Sequence, residues 1–374
     1  MNKKRRNNVV GNMRCLNLRC NLRNILLRTE GIRPLILIPL VICLFSPLKA
    51  QEVLRRLSAN PELVRISKEK KNTKQQKLAL VIPDSIGLPF VDDFSTTMVY
   101  PDPLLWKDKE VYINSTYPVN PVSIGVATFD DLDQNGYVYK NASPSPFYAD
   151  TLTSRPFKLN FKSVPRNDFF FSFFYQPQGI GDKPEKEDSL MVEFYSPDSS
   201  RWTKVWSAPG DSVRPFKQVI IQVDKEYQKN GFQFRFRNIA SIDSSDVPGI
   251  NGDVDQWNID YVKLDTSRSA GDSILHDIAF VQPMTSLLKT FQSMPWNQYT
   301  LAFRTENKPT IDVTYRNNDT ATSKLVYRNF KITEIRKDNK GSVNAFNAAG
   351  NFIDPNTSVT LQTDLFDPFS PNYT

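Results

Sequence analysis

"GFQFRFRN", Gly231 to Asn238, decides the fold class. In an extended chain Phe232, Phe234 and Phe236 share one face, and Gln233, Arg235 and Arg237 share the other. An α-helix would turn Phe234 away from the other two phenylalanines, so the period is that of a half-buried strand. The same texture spreads outward. "DSLMVEFYS" (Asp188 to Ser196) and "FKQVIIQV" (Phe216 to Val223) read as strands. "NDFFFSFFYQ" (Asn167 to Gln176) is apolar on both faces and should lie inside a sheet. Turn clusters separate these runs: "PQGIGDKPEKED", "SPDSSRW" and "APGDSVRP". Strands without intervening helices predict an all-β jelly-roll sandwich over residues 86–265.

Strand patterns resume at "TIDVTYRNND" (Thr310 to Asp319), "SKLVYRNFKITEI" (Ser323 to Ile335) and "TSVTLQTDLFD" (Thr357 to Asp367). They predict a smaller immunoglobulin-like sandwich over residues 301–374, cut short after three or four strands, with residues 266–300 as a linker. The chain of 374 residues is long enough for both cores.

The net charge of +7 is misleading. Residues 1–50 hold ten Lys and Arg against one Glu, and residues 51–374 hold 37 against 39. A nucleic-acid reading based on overall basicity fails on that division. The basic stretch leads into the apolar run "LILIPLVICLF" (Leu35 to Phe45), then "SPLKA" (Ser46 to Ala50). That run is short for a membrane span and suits a signal peptide with a long basic start, cleaved after Ala50. Residues 51–85, with "SKEKKNTKQQK" at Ser67 to Lys77, read as a polar, basic, partly helical linker.

All three cysteines (Cys15, Cys20, Cys43) fall in the leader, and His276 is the one histidine. Thiol chemistry, histidine-dependent triads and His/Cys zinc sites are therefore disfavoured. Carboxylate chemistry, calcium and binding remain.

Several motifs carry candidate chemistry. In "WNIDYVKL" (Trp257 to Leu264), strict alternation puts Asp260 on the face of Val262 and Leu264, and so under cover. A covered carboxylate needs a hydrogen-bond donor or a cation. "DLDQNG" (Asp131 to Gly136) imitates the first half of an EF-hand loop, but Ala142 stands at the twelfth position, so a turn is the better reading. Trp202 and Trp206 in "RWTKVW" should share one face of a strand, and Arg235 and Arg237 form a solvated basic face. A glycosidase would need two carboxylates across a cleft, and spacing singles out no such pair.

The ordered series "FVDDF", "VSIGVATFDDLDQNGYVY", "ADTLTSRPFKL", "FFYQPQGIGDKPEKEDSLMVEF", "WTKVWSAPG", "FQFRFRN" and "DVDQWNIDYVKLD" resembles a family of secreted Bacteroidetes surface proteins. The family has a MAM-like, concanavalin-type jelly roll, and many members use type IX secretion. The resemblance implies a structural Ca2+ between an acidic residue of the first strand and an aspartate of the last, here Asp92 or Asp93 and Asp260. It also implies glycosylation at Asp-Ser/Thr sites followed by Ala, Ile, Leu or Val, of which this chain has six, from Asp84 to Asp319. The expected function is non-catalytic: adhesion or assembly by an exported protein, at the cell surface or outer membrane, through protein or glycan contacts. An accessory module of a larger hydrolase and a carboxylate-based glycosidase are the alternatives.

Overall fold

The computed structural model describes residues 59–72, 81–159, 161, 166–241, 255–327, 329–333, 342–347 and 350–364. The leader expected over residues 1–50 lies outside the described residues. Helix α1 (Pro61–Asn72) comes first, followed by β1 (Phe90–Asp92), β2 (Tyr112–Asn114), β3 (Val126–Phe129), β4 (Phe147–Thr153) and β5 (Phe170–Pro177). Next come β6 (Ser189–Ser196), β7 (Arg201–Pro209), β8 (Lys217–Gln222), β9 (Gln233–Ala240) and β10 (Trp257–Asp265).

These strands form two antiparallel sheets. One has the order β2-β3-β10-β5-β8, with β1 also on β10; the other has β4-β9-β6-β7. From β4 to β10 the chain crosses between the sheets at almost every connection, as a jelly roll does and a simple meander does not. The phenylalanine ladder faces inward as its alternation requires, with Phe232, Phe234 and Phe236 fully buried. Across the sandwich Phe234 meets Phe171 with ring centroids 4.4 Å apart, and Phe236 meets Phe173 at 4.9 Å. Removing each ring from water contributes about 1.5–3 kcal/mol. β5 is flanked by β10 and β8, as its two apolar faces demand.

Two bulges correct the sequence reading. Between β6 and β7, Val192 faces Trp206 but Glu193 faces Lys204, so Val205 is an extra residue. Trp202 and Trp206 therefore fall on opposite faces, not the same one. Trp206 packs inward on Phe173 and Tyr175, at 5.1 and 5.0 Å, while Trp202 lies outside beside Tyr195. The second bulge lies in β10 between Asp260 and Lys263, with Tyr261 at φ 51°. It resets the alternation, so that Trp257, Ile259, Val262 and Leu264 all reach the core. Asp260 is buried, but not on the face of Val262 and Leu264.

Within the expected linker 51–85, helix α1 docks on the sandwich. Asn60 caps it, its Oδ1 accepting from the N–H groups of Glu62 and Leu63, with Pro61 at the first helical position. Leu63 is buried, and Asn60 N–H donates to the Gly136 carbonyl at 2.9 Å. Gly136 sits at φ 81°, where a side chain would also strike the Asn60 carbonyl.

Beyond β10, the chain forms β11 (Ile278–Phe280), helix α2 (Trp296–Glu306), β12 (Thr310–Asn317), β13 (Lys324–Val326) and β14 (Asn329–Thr333). It continues with β15 (Ser342–Asn347), β16 (Asn351–Ile353) and β17 (Ser358–Asp364). β11-β12-β17 form one sheet, and β13-β16 and β14-β15 form pairs. Ile311, Val313, Tyr315 and Ile353 make its small core. Both β11 and the start of α2 fall inside the stretch expected to be linker.

Candidate functional site

The expected calcium residues divide between two places. Asp92 is buried, and both of its oxygens are used: Trp106 Nε1–H donates to Oδ2 at 2.6 Å and Phe94 N–H to Oδ1 at 2.9 Å. Burial outweighs these donors and pushes the Asp92 carboxyl up to about 6. Asp92 is thus anchored to Trp106 and Phe94. Asp93 turns back to accept from the Ser95 N–H and hydroxyl.

Asp260 occupies a gap. One edge of β10 pairs with β3 as far as Ile259 and with β1 from Val262, so the bulge leaves the residues between them uncovered. Ser123 fills the gap: its N–H donates to Asp260 Oδ2 at 2.7 Å, and its Oγ lies 3.1 Å from Oδ1. The same Oγ is 2.7 Å from the Asp93 carbonyl and 3.1 Å from that of Gly125. Asp93 and Asp260 thus meet through the backbone of one and the side chain of the other. Gly125 permits the approach, since a Cβ there would lie 2.0 Å from the Phe94 carbonyl oxygen. Burial pushes the Asp260 carboxyl up to about 8.

The imitation EF-hand is a turn. Asp133 Oδ1 accepts from Asn135 and Tyr137 N–H, and Gly136 N–H closes on the Asp133 carbonyl. Its first residue has another role. Asp131 is buried, accepting from Asn238 Nδ2 and from Asp255 N–H. Asp150 accepts from Asp131 N–H and from the Tyr139 hydroxyl. With Asp130, Asp188, Asp255 and the half-buried Glu185, these acids crowd one region of the sandwich. Burial raises Asp131 and Asp150 well above the carboxylate range, and burial followed by the charges of Asp131, Glu185 and Asp188 pushes Asp255 up to about 11. The sequence offered no signal for this cluster, because its members come from four separate segments.

A cleft of about 600 Å³ opens where the outer face of the first sheet meets the smaller β unit. From the sandwich come Phe174 and Gln176 of β5, Asn120, and Arg214 with Phe216 ahead of β8; from the smaller unit come Arg316, Asn318 and Asn356. Gln176 fixes the floor, exchanging hydrogen bonds with the backbone of Val119 and donating to the Arg214 carbonyl at 2.8 Å. Asn318 Nδ2 donates to the Val122 carbonyl at 3.0 Å and joins the two walls. Arg316 donates to Asn356 Oδ1; Arg214 donates to Asp211 and the Tyr175 hydroxyl, and its buried Nε has no partner among the described residues. No carboxylate or histidine lines the cleft among the described residues.

The basic strand face expected at Arg235 and Arg237 is present but stacked. Arg235 lies over Trp202 at 4.2 Å from the ring centre and pairs with Glu193, and Arg237 lies over Tyr148 at 3.8 Å. These cation–π contacts occupy one face of each ring.

No protein-family model matches the chain, and no curated protein matches it. Among solved structures it is similar to one described as TmCBM61 in complex with beta-1,4-galactotriose, at 14% identity and a TM-score of 0.29. That alignment spans 47% of this chain and 94% of the other. A likeness of that size carries no functional argument.

Proposed function

We propose that the chain is a non-catalytic binding protein that holds a glycan in the cleft between the sandwich and the smaller β unit. The observation that carries this reading is the lining itself. Planar amides (Asn120, Gln176, Asn318, Asn356), two phenylalanines and two arginines converge on a cavity of about 600 Å³. Asn120, Asn318 and Asn356 carry amide groups of the kind that hydrogen-bond sugar hydroxyls, while Gln176 is used on Val119 and Arg214, and aromatic rings offer apolar area to sugar C–H faces. Arg316, hydrogen-bonded to an amide oxygen and not to an acid, favours a saccharide bearing carboxylate or sulfate groups. Cleavage of a glycosidic bond needs two carboxyl groups flanking it, and this lining supplies neither. Export and a role in surface adhesion or assembly, drawn from the leader and the family resemblance, are part of the same proposal.

The test is a screen of the chain against immobilised neutral and acidic oligosaccharides, with product analysis of the same sugars after incubation. The expected result is retention of acidic oligosaccharides without release of shorter products. Shortened products would move the protein to the glycosidases, and retention of none of the sugars would remove the glycan reading.

A further inference from the structure

The acid cluster holds carboxylate oxygens of Asp188 and Asp255 that no hydrogen bond among the described residues accounts for. Glu185, Asp188 and Asp255 each offer an oxygen, and these oxygens lie within 4.8 Å of one another. Asp188 and Asp255 are 0% and 1% exposed. Asp188 Oδ2 accepts from Glu185 N–H and the Ser241 hydroxyl, but its Oδ1 has no partner among the described residues. Asp255 is more exceptional: among the described residues neither of its oxygens has a donor. Among the described residues no lysine or arginine pairs with any of the three.

A buried carboxylate is stable only with donors, a counter-charge or a proton. Asp255 has the first from none of the described residues, and Asp131 adds a further acid through its bond to the Asp255 N–H. The position is also built rather than incidental. Asp255 bridges to Asp182 immediately ahead of β10, and Gln256 N–H donates to the Asp182 carbonyl. The turn carrying Glu185 and Asp188 is pinned on β7, where Gly210 N–H donates to the Asp188 carbonyl. A side chain at Gly210 would strike the Glu185 carbonyl at 1.7 Å.

We propose that Glu185, Asp188 and Asp255 bind a hard divalent cation, of which calcium is the best fit. The donors are all oxygen, which excludes a preference for soft metals. Calcium tolerates irregular oxygen sets of six to eight, completed by carbonyls and water, whereas magnesium demands near-octahedral geometry. The ion would tie the β5–β6 connection to the start of β10. It is separate from the gap at Asp260, whose carboxylate already has donors from Ser123.

The experiment titrates calcium chloride, and separately magnesium chloride, into the EDTA-stripped full chain by calorimetry, and records melting temperature in calcium and in EDTA. Wild type should bind calcium in preference to magnesium and melt higher with it. Asp255→Asn should weaken calcium binding by at least about tenfold, and Asp260→Asn should leave it unchanged. If Asp255→Asn fails to fold, half-buried Glu185→Gln provides the same comparison, with circular dichroism confirming the fold. Equal melting in calcium and EDTA with no binding heat would overturn the proposal and leave the acids sharing protons. Calcium binding lost in Asp260→Asn but kept in Asp255→Asn would overturn it as well, by moving the ion to the β10 gap.

Discussion

Asp260 shows how one residue can carry opposite demands. It is fully buried, and the Ser123 donors do not offset the loss of water, so its carboxyl titrates at about 8 in the fold. An unfolded aspartate titrates near 3.9. Between these values the folded chain binds more protons than the unfolded one, so stability falls as pH rises, by up to about 1.4 kcal/mol per pH unit from this group. Asp260→Asn should flatten that fall, measured by urea denaturation between pH 4 and 8; an unchanged slope would show that the group is ionised in the fold. Asp319 has the reverse sign. Lys324 Nζ at 2.8 Å, Thr322 and His276 hold its carboxyl well below the ordinary range. Its contribution is present above the unfolded value and is lost as pH falls. Asp319→Ala should therefore lower the melting temperature of the smaller β unit most at pH 7, and by progressively less as pH falls below the unfolded value of about 3.9.

At the scale of the element, the bulges set what the sequence could reveal. The alternation of β9 was legible because β6 pairs with it without a break from Gln233 to Ile239. The faces of β7 and the end of β10 were not legible, since an extra residue is defined only by what stands opposite it. One substitution pair makes the point measurable. Trp206→Ala removes a ring packed on Phe173 and Tyr175 and should cost about 3 kcal/mol or more. Trp202→Ala, four residues away, removes an outer ring whose main partner is Arg235 and should cost about 1 kcal/mol or less. Equal losses in chemical denaturation would return both rings to one face. Helix α1 was foreshadowed by partly helical composition, but its docking depends on Gly136, far along the chain.

At the scale of the whole molecule, the sequence conveyed a sandwich followed by a smaller β unit but not the space between them. Phe174 and Gln176 read simply as strand residues, and Arg316 as part of a later strand; only the fold brings them to one cleft. The acid cluster was hidden for the same reason, with members as far apart as Asp131 and Asp255. Burial without partners, unlike alternation, leaves no local mark in a sequence. The most direct measurement is calorimetric affinity for the best acidic oligosaccharide, with wild type, Arg316→Ala in the cleft and Arg235→Ala on the outer sheet face. Arg316→Ala should lose about tenfold or more, the scale of one charge-assisted pair, and Arg235→Ala should be unchanged. Loss in Arg235→Ala with Arg316→Ala unaffected would contradict this and move binding to the outer face of the second sheet.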